Sequence, residues 1–465
     1  VYTMPEFLER RYNPQSRTIL SVISLVSYVL TKVAVTVYAG GLVFQQVFGI
    51  KELWGIDFFW IAAIGLVVLT ALYTIFGGMK SVLYTSVLQT PILLLGSLII
   101  LVLGFKELGG WDEMMRVCGA VTVNDYGDTM TNLIRSNDDA NFPWLGALIG
   151  SAIIGFWYWC TDQFIVQRVL SGKNEMEARR GTIFGAYLKL LPVFLFLIPG
   201  MIAFALHQKY IGAGGEGFLP MLANGTANAD AAFPTLVAKL LPAGVKGLVV
   251  CGILAALMSS LASLFNSSAM LFTIDFYKRF RPETPEKKLV GIGQVATVVI
   301  VILGILWIPI MRSVGDVLYT YLQDVQSVLA PGIAAAFLLG ICWKRTSAQG
   351  GMWGLIAGMV IGLTRLGAKV YYSNAGEVAD STFKYLFYDM NWLFFCGWMF
   401  LFCIIVVIVV SLATKAPTAE KIQGLVFGTA TKEQKAATRA SWNHWDIIHT
   451  VIILAITGAF YWYFW

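Results

Sequence analysis

Apolar residues in this chain gather into long continuous runs, neither alternating with polar ones nor recurring on a single helical face. A helix needs about 20 mostly apolar residues to cross a bilayer. Eleven stretches meet that need: 18–50, 56–77, 81–105, 144–170, 181–206, 245–276, 289–311, 317–343, 350–372, 392–413 and 445–464. The strands of a membrane barrel would alternate apolar and polar positions, and these runs do not. Only helices and closed barrels satisfy their own backbone in lipid, so the pattern predicts an all-α polytopic membrane protein. The first and sixth runs exceed one bilayer thickness and are expected to tilt.

The connections set the direction of insertion, because cytoplasmic loops collect Lys and Arg. If Arg10, Arg11 and Arg17 lie inside, then Lys80, the loops 168–180 and 278–288, Lys344 with Arg345, and the stretch 415–439 also fall inside. The intervening loops 106–143 and 207–243 are longer and carry fewer basic residues for their length.

Composition agrees with a lipid solvent. Hydrophobic residues make up 57% of the chain and charged residues 13%, where a soluble domain carries about 25% charge. The formal charge of +6 sits in short loops, so it orients the chain in a bilayer and does not point to nucleic acid. Of six cysteines, five fall inside apolar runs and Cys118 sits alone in a loop, with neither metal-ligand spacing nor a disulfide framework. Asn224-Gly225-Thr226 forms a glycosylation sequon in an outer loop, which carries no meaning in a bacterium. Gly354, Gly358 and Gly362 recur every four residues and read as a packing stripe. No signal peptide is visible, and a start at Val1 implies upstream sequence.

Ionisable and polar residues at membrane depth are costly unless they face a partner or a watery cavity. Lys189 lies about two turns into the fifth run, shortly before Pro192. It either snorkels to the cytoplasmic surface or donates into a polar cavity. Gln323 and Asp324 lie at the start of the eighth run, in the polar stretch of Tyr319, Leu322, Gln323, Asp324, Val325 and Gln326. They either mark the interface or offer an amide that both donates and accepts, as a hydroxylated ligand requires. Trp157, Tyr158 and Trp159 in the fourth run read as an interfacial aromatic belt or as a plane for the apolar face of a sugar. In the sixth run Ser259 and Ser260, followed by Ser263, Asn266, Ser267 and Ser268, read either as close helix packing or as hard oxygen ligands for sodium.

Taken together, these segments resemble the solute:sodium symporter family, and within it the sodium/glucose cotransporter branch. The resemblance covers nearly the whole chain. It rests on Met4-Pro5-Glu6-Phe7-Leu8-Glu9-Arg10-Arg11-Tyr12, Leu72-Tyr73-Thr74-Ile75-Phe76-Gly77-Gly78, the stretch from Trp157 to Arg168, and Tyr187-Leu188-Lys189-Leu190. It rests also on Leu257-Met258-Ser259-Ser260-Leu261, Phe265-Asn266-Ser267, and Phe337-Leu338-Leu339-Gly340 with Trp343-Lys344-Arg345. It implies a LeuT-type inverted-repeat fold of about 14 helices, of which 11 are present, with solute and ion bound at the bilayer midplane beside broken helices. It implies a multi-pass transporter in the cell membrane (a bacterial inner membrane is the expected one) and no enzyme activity. By residue-level match, Lys189 and Gln323 bond the sugar. Tyr158 stacks on it and blocks the inward exit, with Trp159 beside it, and Tyr319 is the outer-gate aromatic. Ala256 through its carbonyl, Ser259 and Ser260 form half of the sodium site.

Residues 1–465 are expected to form one transmembrane transport domain lacking the family's first helices, which complete the sodium site and carry sugar ligands. The fragment alone is therefore not expected to transport. Ser86 stands where many relatives carry an aspartate on the ion path, and Ala262 replaces a hydroxyl residue of a second sodium site. One sodium per sugar follows. Gly155 stands where relatives often place a polar side chain near the sugar, which leaves the sugar itself open. The competing readings are symport of another solute, such as an inositol, a sialic acid or an amino acid, and a sugar sensor that does not transport.

Overall fold

The computed structural model describes residues 3–464 apart from 223–224, 315–316 and 376–378, and leaves out the side chains of 73, 75–83, 85, 86, 88 and 312–314. Asn224 of the sequon and the side chains of Lys80 and Ser86 therefore fall outside the described residues.

The described residues are mostly helical. A short helix, α1 (Met4–Arg11), precedes α2 (Pro14–Phe48), α3 (Phe58–Leu108), α4 (Trp144–Thr161), α5 (Gln163–Leu170) and α6 (Glu175–Gly212). There follow α7 (Ala243–Phe280), α8 (Glu286–Met311), α9 (Leu318–Cys342), α10 (Ala348–Asn374), α11 (Trp392–Ala413) and α12 (His444–Tyr463). Among the described residues, ten helices are long and apolar enough to cross a membrane, and Phe58–Leu72 is a shorter apolar helix. Together they account for the eleven apolar runs.

Two expected boundaries change. The runs 56–77 and 81–105 belong to one continuous helix of 51 residues, with Pro91 inside it. The run 144–170 is interrupted at Asp162, whose extended backbone separates α4 from α5. Among the described residues, strands are confined to one short hairpin, Glu52–Leu53 against Ile56–Asp57. Trp54 and Gly55 turn it with φ of 56° and 75°, the left-handed pair that such a tight hairpin requires.

Helix starts follow from local chemistry. Thr3 and Asn13 cap α1 and α2 by accepting from the amides of Glu6 and Ser16, each with a proline in the first turn behind the cap. Asp162 caps α5 in the same way, through the Phe164 amide.

The chain divides into two compact units. One comprises Val1–Val33, Asn137–Ile183 and Ser267–Thr450. Its core gathers Leu8, Tyr12, Leu20, Ile153, Trp157, Phe337 and Leu393. Here α10 packs through its glycine stripe. A Cβ on Gly358 would meet the Gly332 backbone of α9 at 2.6 Å, and one on Gly362 would lie 2.2 Å from the Val328 carbonyl. One on Gly354 would meet Val407 of α11 at 2.4 Å. The stripe is thus a close helix contact. Arg11 is fully buried and donates to the carbonyls of Gly340 and Trp343 at 2.7 and 3.2 Å, while Tyr12 donates to Ala336 at 2.7 Å. These donors tie α1 to the C-terminal turns of α9. Gly340 is among the last four carbonyls, which lack an intrahelical partner, and a cation suits that end of a helix. Arg17 binds both Glu9 and Asp275, and Thr3 also donates to Asp275 at 3.0 Å.

The other unit comprises Ala34–Ser136, Phe184–Asn266 and Val451–Trp465. Its core holds Ile100, Leu108, Met114, Ile202, Leu206, Leu236 and Val249. His207 accepts from the Leu219 amide at 3.0 Å, which pins the loop after α6 against that core.

Candidate functional site

In four of the long helices the regular ladder gives way. Residues Tyr28–Val33 of α2, Trp157–Thr161 of α4, Val193–Leu197 of α6 and Leu271–Tyr277 of α7 are wound in the wider π form. Such turns are rare and collect at functional sites. The one in α6 follows Pro192, whose ring removes a backbone donor.

In the first unit the π turn of α4 carries Tyr158 and Trp159, whose rings meet edge to face with centroids 5.2 Å apart. Tyr158 is half-buried, Trp159 exposed, and Trp157 belongs to the hydrophobic core. At the end of the turn the Asp162 amide donates back to the Trp157 carbonyl at 3.0 Å. The Asp162 carboxylate forms a buried ion pair with Lys32 of α2 and accepts from Tyr28 Oη at 3.2 Å. The Lys32 ammonium is also ringed by aromatic faces. Its Nζ lies 4.2 Å from the Phe164 centroid, 4.7 Å from Tyr28 and 5.6 Å from Tyr158, within reach of cation–π attraction. The aromatic expected to contact solute thus rests on an ion pair that ties α2 to the break between α4 and α5.

On the first turns of α9, Gln323 Nε2 donates to Tyr319 Oη at 2.8 Å, one helical turn away. Tyr319 is exposed and Gln323 half-buried. Between them Tyr321 is buried. Its hydroxyl donates to the Leu30 carbonyl in the π turn of α2 at 2.9 Å and accepts from Trp307 Nε1 at 2.6 Å. Asp324 pairs with Lys369 and lies 3.8 Å from Arg365, both on α10.

In the second unit Lys189 stands exposed on α6, three residues before Pro192. Ala256, Ser259 and Ser260 lie on α7 at i, i+3 and i+4, and so share a face. Ser259 is buried, and Ala256 and Ser260 are half-buried. Ser263, one turn further along the same helix, is fully buried. Gly155 has open space before it: a Cβ there would meet nothing within 4 Å. Ala262, in contrast, is fully buried.

Tyr158 with Trp159, Tyr319 with Gln323, and the three α7 residues are therefore brought together as groups. Lys32, Arg365 and Lys369 are not among the residues that the sequence singles out. Each is an ionisable side chain inside an apolar run, the same signal that singled out Lys189.

Residues 1–358 match the sodium:solute symporter family. The chain is 35% identical to the sodium/mannose cotransporter of Bos taurus, over all of this chain and 80% of that protein. It is 37% identical to sodium/glucose cotransporter 1 of Ovis aries, over 89% of this chain and 64% of the relative. It is 35% identical to sodium/myo-inositol cotransporter 2 of Homo sapiens, over 92% and 64%. The chain thus spans slightly less than two thirds of the last two proteins. In fold it is similar to the substrate-bound outward-open state of a Na+-coupled sialic acid symporter, with a TM-score of 0.67 and 21% identity over 90% of this chain and 78% of that one. This likeness shows a polytopic, LeuT-type helical fold. With the family match and the relatives it leads to one assignment: this chain belongs to the sodium:solute symporter family and resembles its sugar-cotransporter branch.

Proposed function

We propose that this chain is the transport domain of a sodium-coupled symporter for a neutral polyhydroxylated ring, a hexose or an inositol, taking one sodium with each solute. The observation that carries the reading is the chemistry named for three relatives. Mannose, glucose and myo-inositol are uncharged rings edged with hydroxyls. Such rings suit an aromatic plane and amide or ammonium donors, the groups that Tyr158, Trp159, Gln323 and Lys189 present.

In this reading sodium is cargo, held by the Ala256 carbonyl and the hydroxyls of Ser259 and Ser260, since a hard cation prefers oxygen ligands. Sodium stabilises the outward-open form, solute enters, and Tyr319 closes over it. The form open to the cytoplasm then releases sodium first, and Tyr158 moves aside to let the solute go. One charge crossing 100 mV supplies about 2.3 kcal/mol. Coupling is the difference in affinity of the two forms for the pair, and it is reciprocal. Ala262 supports the single sodium, because an alanine offers no oxygen from its side chain.

Reconstituting the full-length protein, and measuring sodium-driven uptake of mannose, glucose, galactose, myo-inositol and sialic acid, tests the solute class. Uptake confined to the neutral rings is expected. Preference for sialic acid overturns the neutral-solute reading, and solute-evoked current without flux overturns symport.

A further inference from the structure

The outer turns of α9 present different residues to different neighbours. At 100° per residue, Tyr319 and Gln323 lie close together on one side of the helix, where they share a hydrogen bond of 2.8 Å. Tyr321 and Asp324 lie on the opposite side, and both are buried. Tyr321 is fixed to α2 through the Leu30 carbonyl. Asp324 is fixed to α10 through Lys369, with Arg365 at 3.8 Å.

The two cations of α10 have separate tasks. Arg365 is fully buried and donates to the carbonyls of Met390 and Leu386 at 2.7 and 3.3 Å, at the end of the short helical segment before α11. Its guanidinium also lies 4.0 Å from the Phe395 ring centroid. Lys369, four residues further along the same face, is left to Asp324. A buried carboxylate beside one buried and one half-buried cation is costly to assemble in a membrane. Packing alone would be served by apolar residues, so this arrangement calls for another reason.

We propose that Lys369 and Asp324 are positioning residues for the solute site: their ion pair sets the rotation of the outer turn of α9, and through it the angle at which Gln323 and Tyr319 meet the solute. This rests on the reading that Gln323 contacts solute. The pair touches no solute itself. Its effect is on affinity, while the rate of the transport cycle at saturation is left to other elements.

The test is sodium-driven uptake by the full-length protein in proteoliposomes, with the best neutral solute of the panel above. The variants are Lys369→Gln, Lys369→Arg, Gln323→Ala and the double variant Lys369→Gln with Gln323→Ala. Lys369→Gln is expected to raise the half-saturating solute concentration about 10-fold with the maximal rate per folded molecule within about 2-fold of the parent. Lys369→Arg, which keeps the charge, is expected to restore affinity. The double variant is expected to be no weaker than Gln323→Ala alone, because two residues acting through one contact are not additive. A strictly additive double variant, or a Lys369→Gln that lowers only the maximal rate, overturns the inference while the solute site stands. A silent Gln323→Ala overturns both. If Lys369→Gln fails to fold, Lys369→Arg decides: unchanged affinity supports the pair, and a 10-fold loss with the charge retained overturns it.

Discussion

Lys32 and Asp162, 130 residues apart in the chain, form a buried ion pair whose ammonium lies 5.6 Å from the centroid of the Tyr158 ring. The carboxylate also caps α5 and receives the Tyr28 hydroxyl. One group thereby sets where α4 breaks, where α5 begins and what Tyr158 rests on. Removing one member of a buried pair leaves an uncompensated charge, at a cost of about 3–5 kcal/mol. Lys32→Met alone is therefore expected to lower the unfolding temperature in detergent strongly. Lys32→Met with Asp162→Asn is expected to recover a good part of that loss, and equal loss in both would separate the lysine from the aspartate.

Tyr158→Ala removes the aromatic face and the proposed inward block together. Solute accumulation is expected to fall steeply while downhill solute efflux rises, and Tyr158→Phe is expected to retain most accumulation. Radiolabel influx and efflux on the same vesicles measure both. Undiminished accumulation by the alanine variant would remove Tyr158 from the gate.

Ser259→Ala and Ser260→Ala each delete one proposed sodium ligand. A roughly 10-fold rise in half-saturating sodium corresponds to about 1.4 kcal/mol and is the expected size. Because coupling is reciprocal, solute affinity measured at low sodium should fall alongside. Sodium dependence untouched in both variants would return the serines to helix packing.

Two glycines make opposite predictions. At Gly155 a side chain has room, so Gly155→Asn is expected to fold normally and shift the preference among hexoses. At Gly362 a Cβ would lie 2.2 Å from the Val328 carbonyl, and overpacking costs about 1–3 kcal/mol. Gly362→Ala is expected to lower the unfolding temperature measurably, and a neutral result would deny that α9 and α10 touch at that point.

The fold was legible because the bilayer imposes its own period: each run of about 20 apolar residues is a helix whatever its sequence detail. Local signals fared well too, and Gly354, Gly358 and Gly362 announced a close contact through spacing alone. Motifs such as Glu9-Arg10-Arg11-Tyr12 and Phe337-Leu338-Leu339-Gly340 were visible as words, but not that Arg11 and Tyr12 donate to carbonyls in the last turns of α9. That is a tertiary contact across more than 300 residues, and no local pattern encodes it. The break at Asp162 went unread because the run 144–170 stays apolar enough to span as one helix. Only the wide turn at Trp157–Thr161 and the pull of Lys32 expose the interruption. Lys32 and Lys369 were findable as charges in apolar runs, yet their partners were not. The long helix Phe58–Leu108 departs from the expected loop at Lys80, running on through both apolar stretches and through Pro91.

The most direct test of sodium-coupled sugar transport is accumulation of labelled glucose and galactose by proteoliposomes holding the full-length protein, with and without an inward sodium gradient, beside Lys189→Ala. Gradient-dependent accumulation of a hexose, abolished in the lysine variant, is the predicted result. Equal uptake with and without the gradient, or full accumulation by Lys189→Ala, would contradict the account.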